Sequence, residues 1–383
     1  MLKKGIATFT LDTGQCPKWL FERMVKLGSQ IVEIIVEEYG PDEFIARIAD
    51  PVWFQSLGTV VAFDWNASGL TTVLTASLKE AIKGKEKHLG IFICGGKGKT
   101  SLKTPDEINN WGEKISLPQE SVSNLVYSSR ITAKVDNSLI QDGYQIYHHS
   151  FFFSRNGLWA VVQQGMNQSN ATARRYHWFS DKIIDFVCEP HTGIISNLIV
   201  PCLNMTAKES EKNRQISTQL IQNRNELFKD IQILRKHSDS VSRMVALKHG
   251  QQEFVFAEFK NTEFHYHPVL NEDFSNSRYL EKILLKLCEH KPDTYEKLIA
   301  VEGVGPKTVR ALSLVAELIY GAEPSYKDPA RYSFAHGGKD GTPYPVDRKT
   351  YDSTINFFKK VISKMKTSQH EKYAMLKKLD RMI

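Results

Sequence analysis

The 383-residue chain is 41% apolar and 24% charged, proportions that support ordinary globular cores and exclude a disordered or fibrous protein. Its formal charge of +7 is a mild excess, compatible with a polyanionic partner but not diagnostic of one. Five scattered cysteines with no C-x-x-C pair argue against a disulfide framework or a cysteine-rich zinc site.

No stretch reaches the roughly 18 apolar residues of a membrane span, and Met1-Leu2-Lys3-Lys4-Gly5 is followed by Asp12, Thr13 and Gly14 rather than an apolar signal core. The expectation is a cytoplasmic protein without a membrane partner. Lys18 to Glu38 has helical spacing, while Thr59-Val60-Val61-Ala62-Phe63 and Leu89 to Cys94 read as buried strands. Between them Gly69 to Lys83 suits a helix, an order compatible with a strand-helix-strand crossover. Tyr144 to Gln164 reads as a β-hairpin turning at Ser154-Arg155-Asn156-Gly157. After Pro201, residues 206 to 248 read as one or two connecting helices, whereas Gln251 to His267 is an aromatic hairpin or an irregular linker. Ser277 to His290, Asp293 to Ala300, Lys307 to Tyr320 and Tyr351 to Lys366 carry helical patterns.

The most informative segment runs from Tyr295 to Leu312, where Glu302-Gly303-Val304-Gly305-Pro306-Lys307 separates two helices. Glycine permits a tight turn and close backbone approach, and proline suits the first position of the second helix. That helix start offers unsatisfied N–H groups and the positive dipole end to a phosphate oxygen. The spacing resembles the helix-hairpin-helix family. With Pro345-Val346-Asp347 after a Gly/Pro-rich loop, it resembles the helix-hairpin-helix DNA glycosylase superfamily. That resemblance implies DNA as partner, Lys307 as a Schiff-base nucleophile and Asp347 as acid/base or electrostatic partner. Gly303, Val304, Gly305, Lys307, Thr308 and Arg310 are the candidate backbone contacts. The interval from Lys307 to Asp347 is longer than in familiar members, and their iron–sulfur cysteines are absent.

The first half is rich in polar groups: Asp64, Asp136, Asp142, Tyr144, Tyr147, His148, His149, Gln163, Gln164, Arg174, Arg175, His177 and Glu189-Pro190-His191. Asp64, Asp136, Asp142 and His149 are of the types that hold a divalent metal in nucleases, although no fixed ligand spacing appears. Neighbouring strand residues face opposite sides, so His148 and His149 read as one core and one surface histidine. Arg174-Arg175-Tyr176-His177-Trp178 suits unstacked bases or, equally, a helix with a basic outer face. Cys94-Gly95-Gly96-Lys97-Gly98-Lys99-Thr100 lacks the first glycine of a nucleotide-triphosphatase loop, but Lys97 and Lys99 remain candidate contacts to a nucleic-acid backbone.

Cys16 to Met24, Phe63-Asp64-Trp65, Cys94 to Thr100, Gln141 to His149 and Tyr344 to Arg348 resemble an archaeal and thermophile family of unknown function, over nearly the whole chain. The expected fold is an α/β or α+β domain (1–203), a helical connector with an aromatic linker (204–276) and an all-α helix-hairpin-helix domain (277–383). The expected function is DNA binding, with a DNA-repair enzyme of glycosylase or abasic-lyase type as the leading reading. A metal-dependent nuclease, for which a divalent metal would be the cofactor, and a non-catalytic DNA-binding or adaptor protein are the alternatives; no cofactor is otherwise implied.

Overall fold

The computed structural model describes residues 16–61, 67–196, 198–233, 278–330 and 348–380. Four helices lead: α1 (Lys18–Tyr39), α2 (Pro41–Ala49), α3 (Pro51–Val60) and α4 (Ala67–Ala81). The expected strand at Thr59 to Phe63 is overturned over Thr59 and Val60, which end α3; residues 62 and 63 lie outside the described residues. Asp50 explains the helix: its carboxylate accepts from the Val52 and Trp53 amides at 2.8 and 3.2 Å, and Pro51 follows at the first helical position. A capped, proline-led start overrides the β-branched run at its end.

The short helix α5 (Glu86–Leu89), β1 (Ile91–Lys97), a 3-10 turn (Gly98–Lys103), α6 (Thr104–Lys114) and α7 (Gln119–Ser138) follow. Next come β2 (Ile140–Gln141), β3 (Gln145–Ser154), β4 (Trp159–Asn167), β5 (Thr172–Phe179), β6 (His191–Ile195) and β7 (Leu203–Asn204). The five-stranded sheet has the order β1-β3-β4-β5-β6 with every neighbouring pair antiparallel, so the expected crossover is replaced by a meander beginning at β3. The hairpin stands as read: the Gly157 amide donates to the Ser154 carbonyl at 3.0 Å, and the Ser154 amide to Leu158 at 2.9 Å.

Helices cover both faces of this sheet. On one face Phe92, Cys94, Phe151, Phe153, Val161 and Trp178 join a core with α6, α7 and the later helices; on the other Ile91, Ile93, Phe152, Ala160 and Val162 join the core of α1 to α4. Both faces being covered explains why these strands read as unbroken apolar runs rather than alternating ones. It also corrects the expectation of a surface histidine: His148 and His149 do face opposite sides, yet they are 1% and 4% exposed.

The connector supplies α8 (Glu211–Leu220) and α9 (224–233), and Gln251 to His267 lies outside the described residues. Helices α10 (Arg278–His290), α11 (Tyr295–Ala300) and α12 (Pro306–Leu318) pack on the first core. The last two, α13 (Arg348–Lys364) and α14 (Gln369–Asp380), pack on the second, where Phe358 stacks on Trp53 at 5.3 Å. The segments expected as one C-terminal module therefore serve opposite sides of the sheet. Among the described residues no helix is long and apolar enough to cross a membrane.

Glu317, near the end of α12, shows what this burial costs. Desolvation holds its carboxyl up at about 7, against a hydrogen bond from the Tyr326 hydroxyl and with help from Glu323. A carboxyl whose folded pKa lies above its unfolded value of about 4.3 stabilises the fold fully below that value, and this contribution is lost as pH rises through about 7. Glu317→Gln is expected to leave stability at pH 4 nearly unchanged and to raise it at pH 8 by a few kcal/mol, on the order of 1.4 kcal/mol per pKa unit. Urea unfolding at the two pH values checks this, and an equal effect at both would refute it.

Candidate nucleic-acid interface

The hairpin lies between α11 and α12. Thr294 caps α11 by accepting from the Lys297 amide at 3.2 Å, and the helix ends at Ala300. Gly303 then adopts φ +93°, and a Cβ there would lie 2.4 Å from Ile283 Cδ1 on α10. Gly303→Ala is therefore expected to cost about 2 kcal/mol or more, read as a lower melting temperature, because a left-handed conformation alone costs about 1–2 kcal/mol. Gly305 differs. Its φ of −151° is extended backbone, and a Cβ there would meet nothing within 4 Å.

Five carbonyls of the turn are satisfied from within the protein. Lys134 Nζ of α7 donates to Val301 at 3.3 Å, Lys286 Nζ of α10 to Glu302 at 3.0 Å, and the Tyr279 hydroxyl to Gly303 at 3.1 Å. Gln141 Nε2 donates to Pro306 at 3.0 Å, and the Val309 amide to Gly305 at 3.1 Å. Lys134 is half-buried, and burial lowers its ammonium pKa. Among the described residues the Gly303 and Gly305 amides have no acceptor, and both residues are half-exposed. The outward side of the turn thus carries donors, next to the positive end of a 13-residue helix.

The structure separates the residues expected to touch DNA here. Gly303, Gly305 and Lys307 reach the surface at least in part, whereas Val304, Thr308 and Arg310 are 3%, 2% and 7% exposed. Helix α12 is buried on every side from Thr308 to Glu317, so Thr308 and Arg310 are interior, as is Val304 just before the helix. Asp347 lies outside the described residues.

Arg174 and Arg175 are a second correction: they lie on β5, not on a helix, and both are fully buried. Arg174 forks onto Asp328 through two bonds of 3.0 and 2.7 Å and reaches Asp142 Oδ2 at 2.7 Å. On the opposite face, Arg175 donates to Thr71 Oγ1 at 3.3 Å and Gln55 Oε1 at 3.1 Å. Neither side chain is available to a nucleic acid.

The expected metal set is also dispersed. Asp136 accepts from Gln163 at 2.6 Å and Trp178 at 3.0 Å and pairs with His191 at 2.5 Å. His149 lies between Ser129 Oγ at 2.9 Å and Gln163 Oε1 at 2.9 Å, and Asp142 is committed to Arg174. Asp64 lies outside the described residues, and among those described no group of three or more His, Cys, Asp or Glu is placed to hold a metal ion. The run Ser129–His149–Gln163–Asp136 has the form of a nucleophile relay, but all four side chains are buried, so it works as a polar layer inside the core.

Lys97 and Lys99 remain exposed, at the end of β1 and in the turn after it. Sequence reasoning missed Lys134, Lys286, Tyr279 and Asp328. Their partners lie 167, 16, 24 and 154 residues away, spacings that carry no local signal.

No curated protein and no solved structure matches this chain. One family model does, and it covers α1 to α12, the sheet and the hairpin. By that match over residues 5–346, the chain belongs to the family described as Protein of unknown function (DUF763).

Proposed function

We propose that this protein binds DNA by its backbone, gripping a phosphate at the turn between α11 and α12 as a helix-hairpin-helix element does. The observation carrying this reading is the division of the turn's hydrogen-bonding groups. Lys134, Lys286, Tyr279 and Gln141 occupy four of its carbonyls, while the Gly303 and Gly305 amides have no acceptor among the described residues. An anion is the partner such a surface favours. Gly305 supports the same reading, since neither its conformation nor its neighbours demand glycine, whereas close approach of a phosphate does.

Gly305→Ala is expected to keep the melting temperature of the wild type and weaken duplex binding about tenfold, the worth of one hydrogen bond to a charged group. Lys307→Ala should lower the slope of log affinity against log salt by about one. Fluorescence anisotropy across a salt series measures both, and wild-type affinity in both variants would sink the reading.

The repair-enzyme form of the proposal goes one step further. Lys307, in the first turn of α12, attacks C1′ of a damaged nucleotide with Asp347 as acid/base or electrostatic partner: the C1′–N bond breaks, the base leaves with its electron pair and takes up the proton lost by the amine, and the sugar then opens at C1′–O4′, with O4′ protonated, to leave the imine. Borohydride traps such an imine. A trapped adduct on uracil-containing, oxidised or abasic DNA, lost in Lys307→Ala, is the expected result; without an adduct, the protein is a DNA-binding protein and not a lyase.

A further inference from the structure

A cleft of about 1070 Å³ opens on the α1–α4 side of the sheet, away from the hairpin. Its volume is at the upper end of the roughly 300–1,000 Å³ of small-molecule sites. Its lining includes the apolar and aromatic residues Phe21, Val73 and Trp111 and the polar residues Thr75, His148 and Ser150. His148 is buried, its Nε2 lies 3.1 Å from each of the Thr75 and Ser150 hydroxyl oxygens, and it has no partner at Nδ1. The glycine-rich end of β1 closes the cleft beside them.

That end is built for close backbone approach. Gly95 has φ +84°, and a Cβ there would fall 2.3 Å from the His149 carbonyl oxygen and 2.4 Å from Thr104 Oγ1. Its backbone is pinned at both groups: the amide donates to Glu107 at 2.8 Å, and Lys79 bridges its carbonyl and Glu107 at 3.1 and 2.6 Å. Lys79 and Glu107 thus neutralise each other. Lys97, opposite His148 in the β1–β3 register, stays exposed at the cleft with Thr100. Lys99 and Lys103 are exposed in the turn that follows.

We propose that this cleft binds a nucleoside monophosphate unit, with the base against apolar or aromatic lining residues, the sugar by the Thr75, Ser150 and His148 side, and the phosphate at Lys97. A ring system, hydroxyls and an anion are the three ligand chemistries that apolar, hydroxyl and lysine lining residues accept. The unit has two sources, a free nucleotide or an unpaired nucleotide of a strand. The inference does not depend on the hairpin.

Calorimetric titration of the full chain with dAMP, deoxyadenosine and a ten-nucleotide (dA) strand tests it. Wild type is expected to bind dAMP, Lys97→Ala to bind it about tenfold more weakly, and deoxyadenosine to bind both proteins equally, since only the charged contact is removed. Ala76→Trp, placing a large ring from an exposed position that lines the cleft, should abolish binding while keeping the wild-type circular dichroism spectrum. The strand binding more tightly than dAMP identifies a nucleic-acid source, and weaker strand binding a free nucleotide. No heat with dAMP at millimolar concentration, or unchanged affinity in both Lys97→Ala and a folded Ala76→Trp, overturns the proposal. Gly305→Ala should bind dAMP as wild type does, which keeps failure of the cleft distinct from failure of the hairpin.

Discussion

Arg174→Met is expected to lower the unfolding free energy by about 3–5 kcal/mol, the range for breaking a buried ion pair from one side. The side chain is fully buried between two carboxylates that are themselves 0% and 1% exposed. Methionine fills much of the volume but leaves Asp142 and Asp328 facing each other without a cation. Asp142 keeps the Tyr144 amide at 3.0 Å and the Tyr176 hydroxyl at 3.1 Å, and Asp328 keeps the Val200 and Ala330 amides at 2.8 Å each. Those bonds soften the loss without replacing the charge. Asp328 follows α12, so the pair also ties the segment after the hairpin helix to the sheet. Arg174→Lys should recover only part of the loss, because an ammonium cannot span both oxygens of Asp328 while reaching Asp142. Urea denaturation of the two variants measures this. A Lys variant as stable as wild type would show that charge alone, without the fork, holds the site.

Asp136→Ala should cost a similar amount, about 3–5 kcal/mol, for a related reason. Its carboxylate is fully buried and receives Gln163 and Trp178 on Oδ2 and His191 on Oδ1. Truncation strands three donors in the core and leaves room for a side chain's worth of empty space. Asn in place of Asp keeps the volume and one acceptor oxygen but brings an NH2 group to a place already crowded with donors, so Asp136→Asn should fall between wild type and Ala. Melting curves of the three proteins test the order. If Asn and Ala were equally destabilised, shape rather than acceptor count would govern the site. The same disruption reaches His149 through Gln163, which makes the layer cooperative: Gln163→Ala combined with Asp136→Ala should cost less than the sum of the two singles.

These two sites show where reading polar residues as chemistry fails. Asp136, Asp142, His149, Arg174 and Arg175 are residue types of metal sites and nucleic-acid surfaces, and nothing local marks them as interior. What buries them is a sheet with helices on both faces, so that each strand's alternation sends side chains into one core or the other. His149, Arg174 and Arg175 on such strands, Asp136 on α7 and Asp142 in the bend after β2 are all buried and each finds an internal partner.

Local sequence by itself determined the elements whose causes are local: the amphipathic run of α1, the β3–β4 hairpin at Ser154 to Gly157, and the glycine-proline turn between α11 and α12. Periodicity and turn chemistry act over a few residues, so they are written where they act. Only the tertiary structure decided that Val304, Thr308 and Arg310 face inward, that Lys134 and Lys286 take the hairpin's carbonyls, and that α13 and α14 close the far core. Which groups of a turn stay open to a ligand depends on donors arriving from elements up to 167 residues away, and no local pattern encodes their arrival.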